Sequence, residues 1–472
     1  MNLVVSIAYI MYKFSKMRVK KNINNIFAIF LITHLLIWTL TPSFSNVNLP
    51  LDTIEALAWG SDLNWGFNKH PPMSALIAEI FYQIFGKQDW AYYLLSQIFI
   101  CFSFFVVWKF SKEFFKDDFK SFISVLLLEG VYFYNYTTPE FNVYICELPF
   151  WVLTVFFCWK GIKNNQTHNW LLFGSFAALG LLSHYLFSYL LVSLSAYLIY
   201  LLYKKKLNFN CLNSLLTFVV ITSPHFIWLI DNNFITLGYG LKRTGFEEII
   251  ISNHFLQPLM FIIKQFGILI PFFLLCFTII SKFKTKLNFK NKDLQFLTVI
   301  NILPLILILL TSMILGVKIR TMWMTPFYLF IGVFIVFVFQ KKFDQKRFSK
   351  FLTLFLFLFI ISPSLYFYVS ISKDNKRTDY PGREIARLVQ DKWDKNFINE
   401  IKVVVGDEWS AGNLSYHLSS RPIWKLTLSD NLNKVGLNEG VIYTGNPKIL
   451  KEICPGVFGS IRPVGYCMIG QK

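Results

Sequence analysis

NNIFAIFLITHLLIWTLTP, residues 24–42, carries no Asp, Glu, Lys or Arg over nineteen positions. A helix needs about 20 such residues to cross roughly 30 Å of hydrocarbon. Its backbone groups must also be satisfied within the segment, so the run predicts a spanning helix. Similar runs recur at 90–110, 119–135, 144–161, 169–182, 185–203, 211–229, 260–281, 295–316, 322–340 and 350–371, which makes eleven predicted spans.

Composition agrees with that pattern. Of 472 residues, 54% are hydrophobic and only 15% charged, and 52 are phenylalanine, which excludes one soluble domain and also a single anchor. The net charge of +19 raises the question of nucleic acid. The bases decide against it, because Lys204–Lys206, Lys282–Lys292 and Lys341–Lys350 sit in short loops between apolar runs. No nucleic-acid partner is expected; membrane lipids are.

The same loops predict an orientation. With a cytoplasmic N-terminus, the inside loops collect Lys13–Lys21, Lys109–Lys120, Lys160, Lys163 and the clusters above. The outside loops hold only Lys69, Lys87, Lys242, Arg243, Lys318 and Arg320. Met1–Phe14 is apolar but too short to span, and its bases follow rather than precede it, which argues for an interfacial segment and against a cleaved signal.

An odd number of spans then puts the polar tail outside. The expected division is a transmembrane domain at 1–371, with a long external loop at 43–89, and an exported α/β domain at 372–472. In the tail, Ile385, Leu388, Val389 and Trp393 have helical spacing over 381–395, while Ile401–Val405 and Val441–Tyr443 read as strands. Cys101, Cys146, Cys158, Cys211 and Cys276 lie in or beside apolar runs and read as packing residues. Cys454 and Cys467 in the tail could form a disulfide or stay as two thiols.

Polar residues gather on the predicted external side, at the ends of different helices. The 43–89 loop holds Asp52, Glu55, Asp62, Lys69 and His70; Glu140 and Asn142 follow a later span; His184 sits in a tight turn; His225 to Asn233 ends another span; Lys318 and Arg320 close a fifth group. Loop-end charges are ordinary one at a time. Their convergence on one face points to a site.

Asp52 and Glu55 are three apart at the start of an amphipathic stretch, so both carboxylates fall on one helix face near its positive end. Such a pair can deprotonate a hydroxyl or bind a cation; helix capping explains Asp52 alone. NKHPPM at 68–73 holds Lys69 and His70 against a stiff Pro-Pro step, an arrangement that suits a phosphate, as do Lys318 and Arg320. The spacing of Asp52, Glu55 and His70 matches no metal motif, so neither metal nor cofactor is expected.

LDTIEALAWGSDLNWGFNKHPP (51–72) resembles the first external loop of bacterial glycosyltransferase family 39, whose members include relatives of protein O-mannosyltransferases and of the lipid A aminoarabinose transferase. The resemblance continues in order through EFNVYICELPFW (140–151), SPHFIWLIDNNF (223–234), KIRTMWMTP (318–326), DYPGREIA (379–386) and GDEWSAGNLSYH (406–417). It implies a GT-C fold and a site at the external face of a bacterial inner membrane. It also implies a polyprenyl-phosphate sugar donor and a lipid A, glycan or protein acceptor.

Carried onto this chain, the resemblance makes Asp52 the acidic residue of the first loop, with Glu55 beside it. Many relatives have an adjacent Asp-Glu pair, whereas Thr53 holds the second place here. His70 and His184 stand where relatives often have lysine, and a histidine is only partly charged near pH 7. The implied roles are catalysis for Asp52 and Glu55, and donor-phosphate binding for Lys69, His70, Lys318, Arg320 and His184. Glu140, Asn142, His225 and Asn233 are the expected sugar or acceptor contacts. Asp407, Glu408 and Asn413 read as a turn that stabilises the tail. The competing class is a flippase of lipid-linked saccharides, but such transporters usually show broken helix pairs in internal repeats, and no repeat is evident here.

Overall fold

The computed structural model describes residues 23–246, 250–427 and 439–472. The interfacial segment expected at Met1–Phe14 lies outside them.

The chain begins with the spanning helix α1 (Ile23–Ser45) and the short helices α2 (Leu51–Gly60) and α3 (Met73–Phe85) of the long loop. Next come α4 (Asp89–Ser111), α5 (Asp118–Leu126), α6 (Val143–Asn164), α7 (Thr167–Leu181) and α8 (Ser188–Tyr203). Then follow α9 (Asn213–Asp231), α10 (Ile235–Arg243), α11 (Asn253–Ile279), α12 (Lys292–Asn301), α13 (Leu303–Leu315), α14 (Ile331–Phe339) and α15 (Phe348–Ser372). The tail adds α16 (Gly382–Asp394), β1 (Val403–Val405), α17 (Ser410–His417), β2 (Ile423–Lys425), β3 (Val441–Gly445), α18 (Pro447–Ile453), β4 (Val457–Ile461) and β5 (Val464–Ile469).

Among the described residues, 8 segments are long and apolar enough to span a membrane, or 9 if the bent pair Thr321–Tyr328 and Ile331–Phe339 counts as one. The other two of the eleven predicted spans are shorter than expected. The 169–182 run forms the 15-residue α7. The 119–135 run breaks after α5 into tight 3-10 turns at Leu127–Gly130 and Tyr132–Tyr134. Hydropathy reports apolarity, not helix continuity, so it could not show these breaks. Gly130 marks one of them: a β-carbon there would lie 2.5 Å from the backbone of Phe272, so only glycine lets the turn meet α11 so closely.

A polar contact fixes that broken segment to the first span. His34 Nδ1 and Glu129 Oε1 lie 2.6 Å apart, both buried, with rings of Phe30, Phe104 and Phe359 around the histidine.

In the tail, five strands form one sheet in the order β2-β1-β3-β5-β4, with β1 parallel to β2 and β3 and the β3–β5–β4 pairs antiparallel. Helix and strands stand where spacing placed them. Cys454 and Cys467 are joined by a disulfide between the end of α18 and β5.

The sheet does not stand apart from the long loop. Ala58, Trp59, Phe67 and Ala75 share one apolar core with Ile385, Val389, Trp393, Val404, Leu414 and Met468. Ion pairs reinforce that core: Arg421 reaches Glu79 at 2.8 Å, and Lys425 pairs with Asp62. Burying large aromatic rings on both sides is the strongest term available here, roughly 25 cal/mol per Å² of apolar surface. The tail is thereby pressed onto the loop that carries Asp52.

Candidate active site

Helix α2 begins directly after Pro50, whose ring fixes the chain direction, and Asp52 lies in its first turn. One turn on, Glu55 falls on the same face. The segment Phe67 to His70 then folds back on itself, Phe67 N–H donating to the carbonyl of His70 at 3.0 Å, before Pro71-Pro72 launches α3. The His70 ring stands against Trp59 at 5.9 Å and His184 at 5.8 Å between centroids.

These residues open on a cavity of about 1210 Å³. Of the sequence candidates, Asp52, Glu55, Lys69, His70, Glu140, His184 and Arg320 all line it. Glu140 accepts the Asp52 backbone N–H at 3.0 Å, so the two carboxylates meet at one rim. Burial first, then the nearby negative charge of Glu140, pushes the Asp52 carboxyl up to about 7. Burial likewise pushes Glu55 up to about 7, against the lowering pull of Lys69.

Lys69 is not free to meet a phosphate. Its Nζ lies 2.7 Å from Glu55 and 3.2 Å from Glu408, which also accepts from Asn68 at 3.1 Å. The histidines are poor cations as well: burial, then the charge of Lys69, depresses His70 to about 3, and burial lowers His184 well below the ordinary histidine value.

Positive charge comes instead from arginine. Arg243, Arg320 and Arg377 line the cavity, and none has a carboxylate partner among the described residues; Arg320 Nε is buried with no acceptor. Three unpaired guanidinium groups beside apolar walls from Leu237, Leu241, Met322 and Trp323 suit an anion carried on an apolar chain.

Four sequence candidates stand outside this cavity. Asn142 caps α6, its side chain accepting from the amides of Tyr144 and Ile145 at 3.1 and 3.0 Å. His225 is buried, donating from Nδ1 to the Trp65 carbonyl and accepting the Tyr185 hydroxyl at 2.8 Å, so it pins the long loop to α9. Asn233 is an exposed turn residue with φ of 51°. Lys318 is exposed, and its backbone N–H donates to Thr244.

Sequence reasoning passed over Tyr144, Tyr239, Arg243, Lys376, Arg377 and Glu408, all of which line the cavity. Arg243 was visible as a rare base on the side that loop charge predicts to be external. Lys376 and Arg377 sit in a polar linker whose charges look ordinary, and Glu408 read as part of a turn. Asp407 does play that turn role, accepting the amides of Trp409 and Ser410 at 2.9 and 2.8 Å, while its neighbour Glu408 points to Lys69.

Many spanning helices, a long first loop that opens on a cavity lined by both carboxylates and arginines, and a tail sheet clamped over that loop define a multi-pass membrane protein of the GT-C fold. Residues 69–228 match the family model described as dolichyl-phosphate-mannose-protein mannosyltransferase. Among solved structures, ArnT from Cupriavidus metallidurans bound to undecaprenyl phosphate superposes with a TM-score of 0.62 at 12% identity, covering 93% of this chain and 97% of that one. The same protein in its apo state gives 0.59 at 11% identity, covering 94% and 98%. No curated protein sequence matches.

Proposed function

We propose that the protein transfers a sugar from a polyprenyl-phosphate donor to an envelope acceptor at the outer face of a bacterial inner membrane. The observation that carries this reading is the cavity itself, where Asp52 stands among Arg243, Arg320 and Arg377, none of them paired with a carboxylate among the described residues. The family match over 69–228 and the likeness to ArnT, which was solved with undecaprenyl phosphate, support the same class of donor. The acceptor is a glycolipid such as lipid A, another glycan, or a protein.

In this mechanism the arginines hold the donor phosphate and stabilise the negative charge that develops as it leaves, the contribution that usually dominates. The acceptor hydroxyl attacks the anomeric carbon from the opposite side. A new carbon–oxygen bond forms, the bond to the phosphate oxygen breaks, and the hydroxyl proton passes to Asp52, so configuration inverts. Lys69, held between Glu55 and Glu408, serves to order the loop and the tail around the site. If the acceptor is itself a phosphate, no base is needed and Asp52 instead orients an amine or hydroxyl.

Loop charge supports a cytoplasmic N-terminus and an external site. The Cys454–Cys467 disulfide fits an exported, oxidising location for the tail.

The test is mass spectrometry of envelope glycolipids and glycoproteins from cells with the wild-type protein, with the gene deleted, or with Asp52→Asn at equal expression. Loss of one sugar from one acceptor in both defective strains is expected. Unchanged acceptors with an altered carrier-lipid pool would overturn the transferase in favour of a flippase.

A further inference from the structure

Behind the cavity wall, both carboxylate oxygens of Glu147 and Nδ1 of His184 are buried without a hydrogen-bond partner among the described residues. They face each other, with His184 Nδ1 3.8 Å from Glu147 Oε2 and Glu147 fully buried. Glu147 stands on α6 one turn after Tyr144, while His184 occupies the turn after α7 and lines the cavity. Nothing in the mechanism above uses Glu147.

A lone carboxylate in an apolar interior costs several kcal/mol unless it is neutralised. The histidine beside it offers a remedy, because the couple can hold one proton between them. In one form a neutral acid faces a neutral imidazole. In the other a carboxylate faces an imidazolium. His184 is the member that lines the cavity, so an anion arriving there favours the second form, which puts the positive charge closer to it.

The surrounding charges permit this exchange. His184 is faced by Glu147 and Tyr144 from α6 and by His70 from the long loop, and the cavity it lines also holds Arg243, Arg320, Asp52, Glu55 and Glu140. Without Glu147, a buried His184 among arginines would stay neutral and give an anion little.

We propose that Glu147 is a positioning residue that lets His184 become a cation when the donor phosphate enters, so that the site gains one charge-assisted hydrogen bond only in its loaded state. This rests on the transferase reading of the cavity and assigns a task to a residue that never touches substrate.

The test measures binding of undecaprenyl phosphate to the purified full chain in detergent from pH 6 to pH 9, for wild type, Glu147→Gln, the Glu147→Gln/His184→Lys double variant, and Arg320→Gln. Glutamine keeps the shape of Glu147 and removes its proton chemistry. With its partner removed His184 stays neutral from pH 6 upward, so Glu147→Gln should bind about tenfold more weakly than wild type across the range, the ratio expected from a one-unit displacement of the proton equilibrium. The double variant should regain wild-type affinity across the range, since lysine brings its own charge. Glu147→Gln binding equal to wild type, or a weakening that the His184→Lys change fails to restore, would overturn the proposal and leave a structural role. Absence of binding by wild type at every pH, or binding indifferent to Arg320→Gln, would overturn the transferase reading and this proposal with it.

Discussion

The backbone N–H of Asp52 donates to Oε1 of Glu140 at 3.0 Å, tying the first turn of α2 to the loop ahead of α6 and placing two carboxylates side by side at the cavity. The ordinary aspartate value of 3.8 is raised to about 7, by burial first and Glu140 second. A base with that value is half protonated near neutrality, so transfer should increase as pH rises through about 7. Glu140→Gln keeps an acceptor for the N–H and removes the like charge. Its rate profile should therefore shift to lower pH, and an unshifted profile would show that the titrating group is not Asp52 coupled to Glu140.

The same shift predicts a trade between stability and activity. A carboxyl whose value is higher folded than unfolded binds more protons in the native state between about 4 and 7, so on its account stability falls as pH rises through that window. Glu55, raised from 4.5 to about 7, acts in the same sense. Asp52→Asn should consequently raise the melting temperature at pH 8, leave it nearly unchanged at pH 4, and lower transfer by roughly 10²–10⁴-fold. Thermal unfolding at the two pH values, with transfer assayed on the same preparations, checks the sign of each effect.

Arg320 and Lys69 should part company when substituted. Among the described residues Arg320 has no ion-pair partner and its Nε is buried, whereas Lys69 is held by two carboxylates. Arg320→Gln should weaken donor binding by about 10- to 100-fold with little change in melting temperature, the loss expected for one charge-assisted contact of about 1.5–3 kcal/mol. Lys69→Met strands Glu55 and Glu408 in a half-buried site, so its first effect should be a lower melting temperature at pH 8 that partly recovers as Glu55 protonates toward pH 5. Donor titrations and melting curves on the two variants separate the roles.

Which parts of this were legible in the sequence follows from range. Apolar run length and loop charge are local, and they placed the long spanning helices; the strands Val403–Val405 and Val441–Gly445 also fell where alternation put them. Asp52, Glu55, Glu140, His184 and Arg320 were found because an acid or base at a span end on one predicted face is itself a local signal. Pairing is not local. That Lys69 would be neutralised by Glu408, 339 positions away, depends on how the tail packs on Trp59 and Phe67, and no spacing rule reaches so far. The short breaks at Leu127–Gly130 were hidden for a related reason, since they depend on α11 pressing against Gly130.

Away from the site, the His34–Glu129 pair should be the most sensitive polar contact within the bundle. It joins α1 to the segment that breaks after α5, where backbone groups of the 3-10 turns lack a continuous helical ladder. Asn135 fills part of that gap by donating to the carbonyls of Glu129 and Val131 at 2.8 and 3.3 Å. Removing one member of a buried pair leaves the other unpaired, which typically costs about 3–5 kcal/mol, whereas replacing both with apolar groups of similar size is often close to neutral. His34→Leu or Glu129→Leu alone should therefore lower the thermal stability of the purified protein sharply, and the double variant should recover most of the loss. Additive losses in the double variant would mean that each side chain is held by its own packing and that the pair contributes no coupling, a result that a double-mutant cycle on melting temperature reads directly.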